Sequence, residues 1–78
     1  MLVHVTQAHI KNGTKSSAAR CPIALAIRDT VGPALKVYVS IHSYEIGPVK
    51  ERPLPIEARE FIRKYDKGFD VKPFDFEI

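Results

Sequence analysis

Tryptophan is absent from this 78-residue chain, and cysteine and methionine occur once each. A single cysteine excludes an intramolecular disulfide and a cysteine-based metal site. It fits a reducing compartment, and a cytoplasmic location is expected in whatever cell makes the protein. No apolar run approaches the roughly 18 residues of a membrane span, so no membrane partner is expected. Met1 to Val5 is too short, and too interrupted by His4, to read as a secretory leader. The four glycines form neither a phosphate-cradling loop nor a nucleophile elbow. Acid is missing from residues 1–28, which carry Lys11, Lys15, Arg20 and Arg28. The opposite bias marks the end, where Lys67 and Lys72 face Asp66, Asp70, Asp75 and Glu77. The net charge is only +3, so the basic front reads first as a solvated surface and second as a contact for nucleic acid or an acidic protein.

What is present is one core. The hydrophobic share of 45% is too high for a disordered chain, and the length allows a single domain, 1–78. The most apolar stretch is Cys21 to Asp29. Pro22 suits the first helical position, because its fixed φ fits a helix and its missing N–H has no intrahelical partner there. Cys21 is then the N-cap. Ile23, Ala26, Ile27 and Val31 share one face, and Ala24 and Leu25 widen it until the helix start is apolar nearly all round. Arg28 and Asp29 mark the side that meets water, and Gly32 followed by Pro33 ends the helix. The two alanines point to close approach of another backbone, most naturally a sheet.

The remaining chain reads in order. Leu2 to Thr6 is a strand with Val3 and Val5 on one face and Leu2 and His4 on the other. Thr6 caps a short turn of helix from Gln7 to Lys11, and Asn12-Gly13 stops it. Thr14 to Ala19 is a polar loop expected to be exposed and mobile. Leu35 to Ile41 alternates, with Leu35, Val37, Val39 and Ile41 inward and Lys36, Tyr38 and Ser40 outward. Ser43 to Ile46 continues as a short hairpin or a bulged extension. Val49 to Leu54 is at most an edge strand, since Pro53 forbids a central one. Pro55 starts a second helix to about Tyr65, with Ala58, Phe61, Ile62 and Tyr65 as its buried stripe. Glu60 and Lys64 are spaced for an i, i+4 ion pair. The tail from Phe69 to Ile78 sets Phe74, Phe76 and Ile78 against Asp75 and Glu77. The expected fold is α+β: a mixed or antiparallel sheet of about three to four strands with two main helices on one face.

No convincing catalytic centre emerges, so no enzyme, cofactor or metal is expected. Cys21 at a helix N-terminus has the position of an activated thiol, but a cysteine beside an apolar helix is more often a small packed hydrophobe. His4, His9 and His42 match no compact ligand spacing. The acids of the tail fall on a solvated strand face rather than across a cleft. Binding residues are easier to nominate. Lys36, Tyr38, His42 and Tyr44 are expected on one exposed sheet face, joined by the Lys15 to Arg20 loop. Tyrosines of that kind anchor protein interfaces and also stack on bases. Without a strong basic stripe, a protein partner ranks above nucleic acid. Alternating terminal strands also leave edges on which two copies can pair as a homodimer.

Three stretches resemble one family of small phage and prophage proteins: Val5 to Gly13 (VTQAHIKNG), Cys21 to Ala26 (CPIALA) and Asp70 to Ile78 (DVKPFDFEI). The resemblance covers nearly the whole chain in order. Some members look similar to anti-CRISPR proteins that act on type I surveillance complexes. It implies a non-enzymatic inhibitor that binds a host defence protein, with a CRISPR surveillance-complex subunit as the specific candidate. The alternative is a small nucleic-acid-binding module using the basic front. The motif residues Cys21, Pro22, Ile23, Leu25 and Phe74 look structural, and a DNA mimic would be strongly acidic, which this chain is not.

Overall fold

The computed structural model describes all residues 1–78 and has three helices and five strands. In chain order these are β1 (Leu2–Val5), α1 (Gln7–Asn12), α2 (Pro22–Val31), β2 (Val37–Val39), β3 (Ser43–Ile46), β4 (Val49–Pro53), α3 (Ile56–Asp66) and β5 (Phe74–Glu77). The α+β class is the one the sequence predicts. Its strands divide between two antiparallel sheets: β1 pairs with β5, and β2-β3-β4 form a meander. No helix is long and apolar enough to cross a membrane.

Helix α2 bridges the two sheets, with contacts to both β1 and β2. Ile23, Ala24, Ala26 and Ile27 are each at most 1% exposed, so the helix is apolar on every side it presents to them. They meet Val3 and Val5 of β1, Val37 and Val39 of β2, Leu54, Ala58, Phe61 and Ile62 at α3, and Phe76 of β5 in one core. The alanines are the small residues that let a helix lie this close to strands.

Local chemistry explains the element ends. Cys21 is the N-cap of α2, and its Sγ accepts the Ala24 N–H at 3.4 Å. Gly32 follows α2 at φ +95°, where an L side chain is strained. Ser40 makes the β2–β3 turn: its hydroxyl oxygen accepts the N–H of His42 and of Ser43, at 3.3 and 3.0 Å. That turn ends β2 at Val39, so Ile41, expected inward, is 46% exposed; Leu35, also expected inward, lies in the turn between α2 and β2 and is 38% exposed. Gly47 lies against Leu35, whose Cδ2 stands 2.9 Å from where a Cβ would be.

Other expectations are corrected. The Thr14 to Ala19 loop is largely exposed, as expected, but it is tied down: Thr14 N–H bonds Arg20 O, Ser16 N–H bonds Asp66, and Val39 N–H bonds Ala18 O. Arg28 is half-buried, not at the water side. Glu60 and Lys64 do not reach ion-pair distance; the four close pairs are the Met1 amine with Glu77, His4 with Asp75, His9 with Asp29, and Lys50 with Glu45.

Candidate functional site

The structure splits the nominated residues. In β2, Val37 and Val39 face the core and Tyr38 between them faces outward, 44% exposed. Lys36 precedes it on the same outward alternation and is exposed. Tyr44 pairs with Val39, and residues directly paired across an antiparallel ladder share a face. Tyr44 therefore points inward and packs partly buried against the core. The single exposed face expected for Tyr38, Tyr44, Lys36 and His42 does not exist. His42 sits in the β2–β3 turn, where its carbonyl accepts the Leu54 N–H. Lys15 reaches toward the end of α3, with Nζ 3.3 Å from a Cβ position on Gly68. Arg20 is exposed in the loop.

Lys36 and Tyr38 gain a partner that the sequence reading had placed elsewhere. They line a concavity of about 220 Å³ together with Arg28, Ala19, Pro33, Leu35 and Val37. Arg28 Nη2 donates to the Ala19 carbonyl at 2.8 Å, which fixes the guanidinium between α2 and the loop. Neither Arg28 nor Lys36 has a carboxylate within ion-pair distance, and no acid lines the wall. The acid opposite Tyr38 is Glu45, and Lys50 neutralises it at 3.5 Å. The result is two cations and a tyrosine ring in one hollow. A guanidinium and an ammonium bind carboxylate or phosphate, and an exposed ring adds flat contact area. Arg20 adjoins the wall through Ala19; Lys15 and His42 stand apart from it.

Sequence reasoning missed a second cluster. His9 Nδ1 accepts the Thr6 N–H at 3.0 Å, so the ring proton sits on Nε2 and is donated to Asp29 Oδ2 at 2.6 Å. Thr6 Oγ1 lies 3.2 Å from Nδ1 and accepts the His9 N–H at 3.4 Å. Threonine, histidine and aspartate in line resemble a hydrolase triad, but Nδ1 is occupied by a backbone N–H and the hydroxyl is engaged. These contacts are a capping box that starts α1, with histidine where glutamate or glutamine is usual. The His9–Asp29 bond then fastens α1 to α2. The signal in the sequence was Thr6 three residues before His9.

Cys21 is a packed cap. Burial pushes its thiol above the ordinary 9.0, against the opposing pull of the Ala24 and Ile23 N–H groups. Cys21 is only 4% exposed, the reverse of an activated nucleophile. Burial, and then the charges at Cys21 and Asp66, also raise the Tyr65 phenol above 10.0. The Tyr65 hydroxyl lies 3.0 Å from Ile10 O and 2.8 Å from Gly13 O, joining α3 to the end of α1. No group of three His, Cys, Asp or Glu side chains gathers in metal-binding geometry.

No family model, curated protein or solved structure matches this chain.

Proposed function

We propose that this is a non-enzymatic binding protein that docks its Arg28–Lys36–Tyr38 hollow onto an acidic surface of a host defence protein and so blocks that protein's nucleic-acid or partner site. The observation that carries the reading is the convergence of two cations without carboxylate partners and one exposed aromatic ring on a wall without acid. Interfaces draw their affinity from a few such arginine and tyrosine anchors. The choice of partner, a CRISPR surveillance-complex subunit in its specific form, rests on the resemblance of residues 5–13, 21–26 and 70–78 to phage proteins.

Tagged protein is used to pull down partners from cells expressing a type I CRISPR system, with and without nuclease. One nuclease-resistant defence subunit is expected, lost with Lys36→Glu and reduced with Tyr38→Ala. Recovery of no defence subunit, together with no protection of phage, would sink the proposal.

The same hollow also supports a second reading, a nucleic-acid module, because cations beside an exposed ring hold a phosphate and stack a base. That reading expects recovery to vanish with nuclease and binding to weaken steeply with salt. It expects Lys11→Ala, Lys15→Ala and Arg20→Ala combined to weaken binding too. Binding unchanged by salt and by those substitutions removes it.

A further inference from the structure

Four strands lie at sheet edges, and they differ in how they are guarded. The outer side of β2 is partly covered by the Thr14 to Ala19 loop, whose Ala18 carbonyl accepts the Val39 N–H. Strand β4 carries Lys50, Glu51 and Arg52, ends in Pro53, bulges against β3 and places Glu51 at φ +48°. Charge, proline and a bulge are the devices that keep an edge from pairing with another chain. Strands β1 and β5 have none of the backbone devices: their register runs without a shift from Leu2–Glu77 to Val5–Phe74.

The direction of their free hydrogen-bonding groups follows from that register. Met1 and Ile78 exchange backbone bonds in both directions. Antiparallel pairs alternate between bonded and non-bonded, so Val3–Phe76 and Val5–Phe74 are bonded pairs, and Leu2–Glu77 and His4–Asp75 are not. The N–H and C=O of Leu2 and His4 therefore point away from β5 along the outer edge of β1. Those of Asp75 and Glu77 point out along the edge of β5. No other backbone bond in the molecule uses any of them.

We infer that β1 is a pairing edge for a second copy of this chain, joined antiparallel about a two-fold axis through Val3. In that register Leu2 lies opposite His4 of the other copy, and both outward-pointing residues on each side exchange N–H···O=C bonds. The parity is right, because like faces meet only when the axis passes through a residue. No like charges face each other, and the exposed Leu2, at 48%, is covered. The corresponding pairing of β5 sets Asp75 against Glu77 of the second copy twice over, bringing four carboxylates together. A β1-to-β5 joint is heterologous and does not close. The charge pattern thus selects β1 with β1, giving a closed four-stranded sheet in the order β5-β1-β1-β5. The shared surface is small, so the dimer is reversible and forms as concentration rises.

Light scattering on a concentration series of the full chain, with amide exchange read by NMR, tests this. A mass rising toward twice 8.8 kDa is expected, with Leu2 and His4 amides protected only at high concentration. His4→Pro deletes an outward N–H that the β1–β5 ladder does not use, so it should give a folded monomer. His4→Ala keeps the N–H and should still dimerise, and both variants lose the His4–Asp75 contact equally. A monomer at all concentrations overturns the inference, as do assemblies beyond two, protection at Asp75 and Glu77 instead, or a dimeric His4→Pro. Should His4→Pro fail to fold, the amide pattern of the unmodified chain decides.

Discussion

Gly13→Ala and Gly32→Ala should both destabilise the protein, for different reasons, and Pro22 separates them. Gly13 has φ −72°, which any residue adopts, so its backbone needs no glycine. Space is the constraint: a Cβ there would stand 2.7 Å from Pro22 Cγ and Cδ and 2.9 Å from His9 O. The proline ring is held inside the core helix and the carbonyl accepts the Gly13 N–H at 2.9 Å, so neither yields freely. Forcing a methyl into a packed site costs about 1–3 kcal/mol. At roughly 4–8 °C per kcal/mol for a domain of this size, the melting midpoint should fall by between about 4 and about 24 °C. Gly32 is the reverse case: no atom lies within 4 Å of its Cβ position, but φ is +95°. Its cost is backbone strain, about 1–3 kcal/mol. Thermal unfolding by circular dichroism, run as double-mutant cycles with Pro22→Ala, tells the two apart. Removing the proline ring should recover part of the Gly13→Ala loss and none of the Gly32→Ala loss. Additivity of Gly13→Ala with Pro22→Ala, or an unchanged midpoint in Gly13→Ala, would refute the steric argument.

Cys21 should resist iodoacetamide in the native protein and react on denaturation; equal rates in the two states would show that the thiol is not enclosed. Its raised folded pKa makes the protonated thiol's contribution complete below the unfolded value near 9.0 and lost as pH rises through the folded value. Tyr65, raised above 10.0, acts with the same sign. The denaturation midpoint should therefore fall above pH 9, and fall less in Cys21→Ala; a flat profile to pH 11 in the unmodified chain contradicts both. Tyr65→Phe should cost about 1 kcal/mol by removing the hydroxyl's bond to the end of α1, with amide exchange rising first in α1; a loss spread evenly over the molecule would place the effect elsewhere.

Much of the fold was legible in the sequence because the deciding signals were local. Pro22 and Gly32 bracket α2, Thr6 caps α1, and Pro53 keeps β4 at an edge, each through the conformation of one residue. The division into two sheets was not legible. It depends on β1 finding β5 across 71 positions of sequence, and alternation says which face of a strand is apolar, not which strand lies beside it. The same limit explains the site. Tyr38 and Tyr44 both look outward-facing along the chain, yet a turn at Ser40 makes β3 antiparallel to β2 and pairs Tyr44 with inward Val39. Arg28 read as the solvent end of α2, but its guanidinium found a carbonyl nine residues back.

The consequence is that the Arg28–Lys36–Tyr38 hollow and the core share one helix. The N-terminal end of α2 presses Pro22 on Gly13, its middle fills the space between the sheets, and near its C-terminal end Arg28 holds Ala19. The next residue of the loop, Ala18, accepts the Val39 N–H and so covers part of the free side of β2. Arg28, the loop and β2 thus form one hydrogen-bonded unit that holds the hollow in place; under the proposed function this lowers the ordering cost of binding. That economy makes Arg28 a poor probe, since its loss frees the Ala19 carbonyl and loosens the wall along with the charge. Lys36 and Tyr38 make no side-chain hydrogen bond and lie on the outward face of β2, so their substitution removes contacts without moving the scaffold. A partner that survives Lys36→Glu but not Arg28→Ala would be reading the shape of the loop rather than the charge of the hollow.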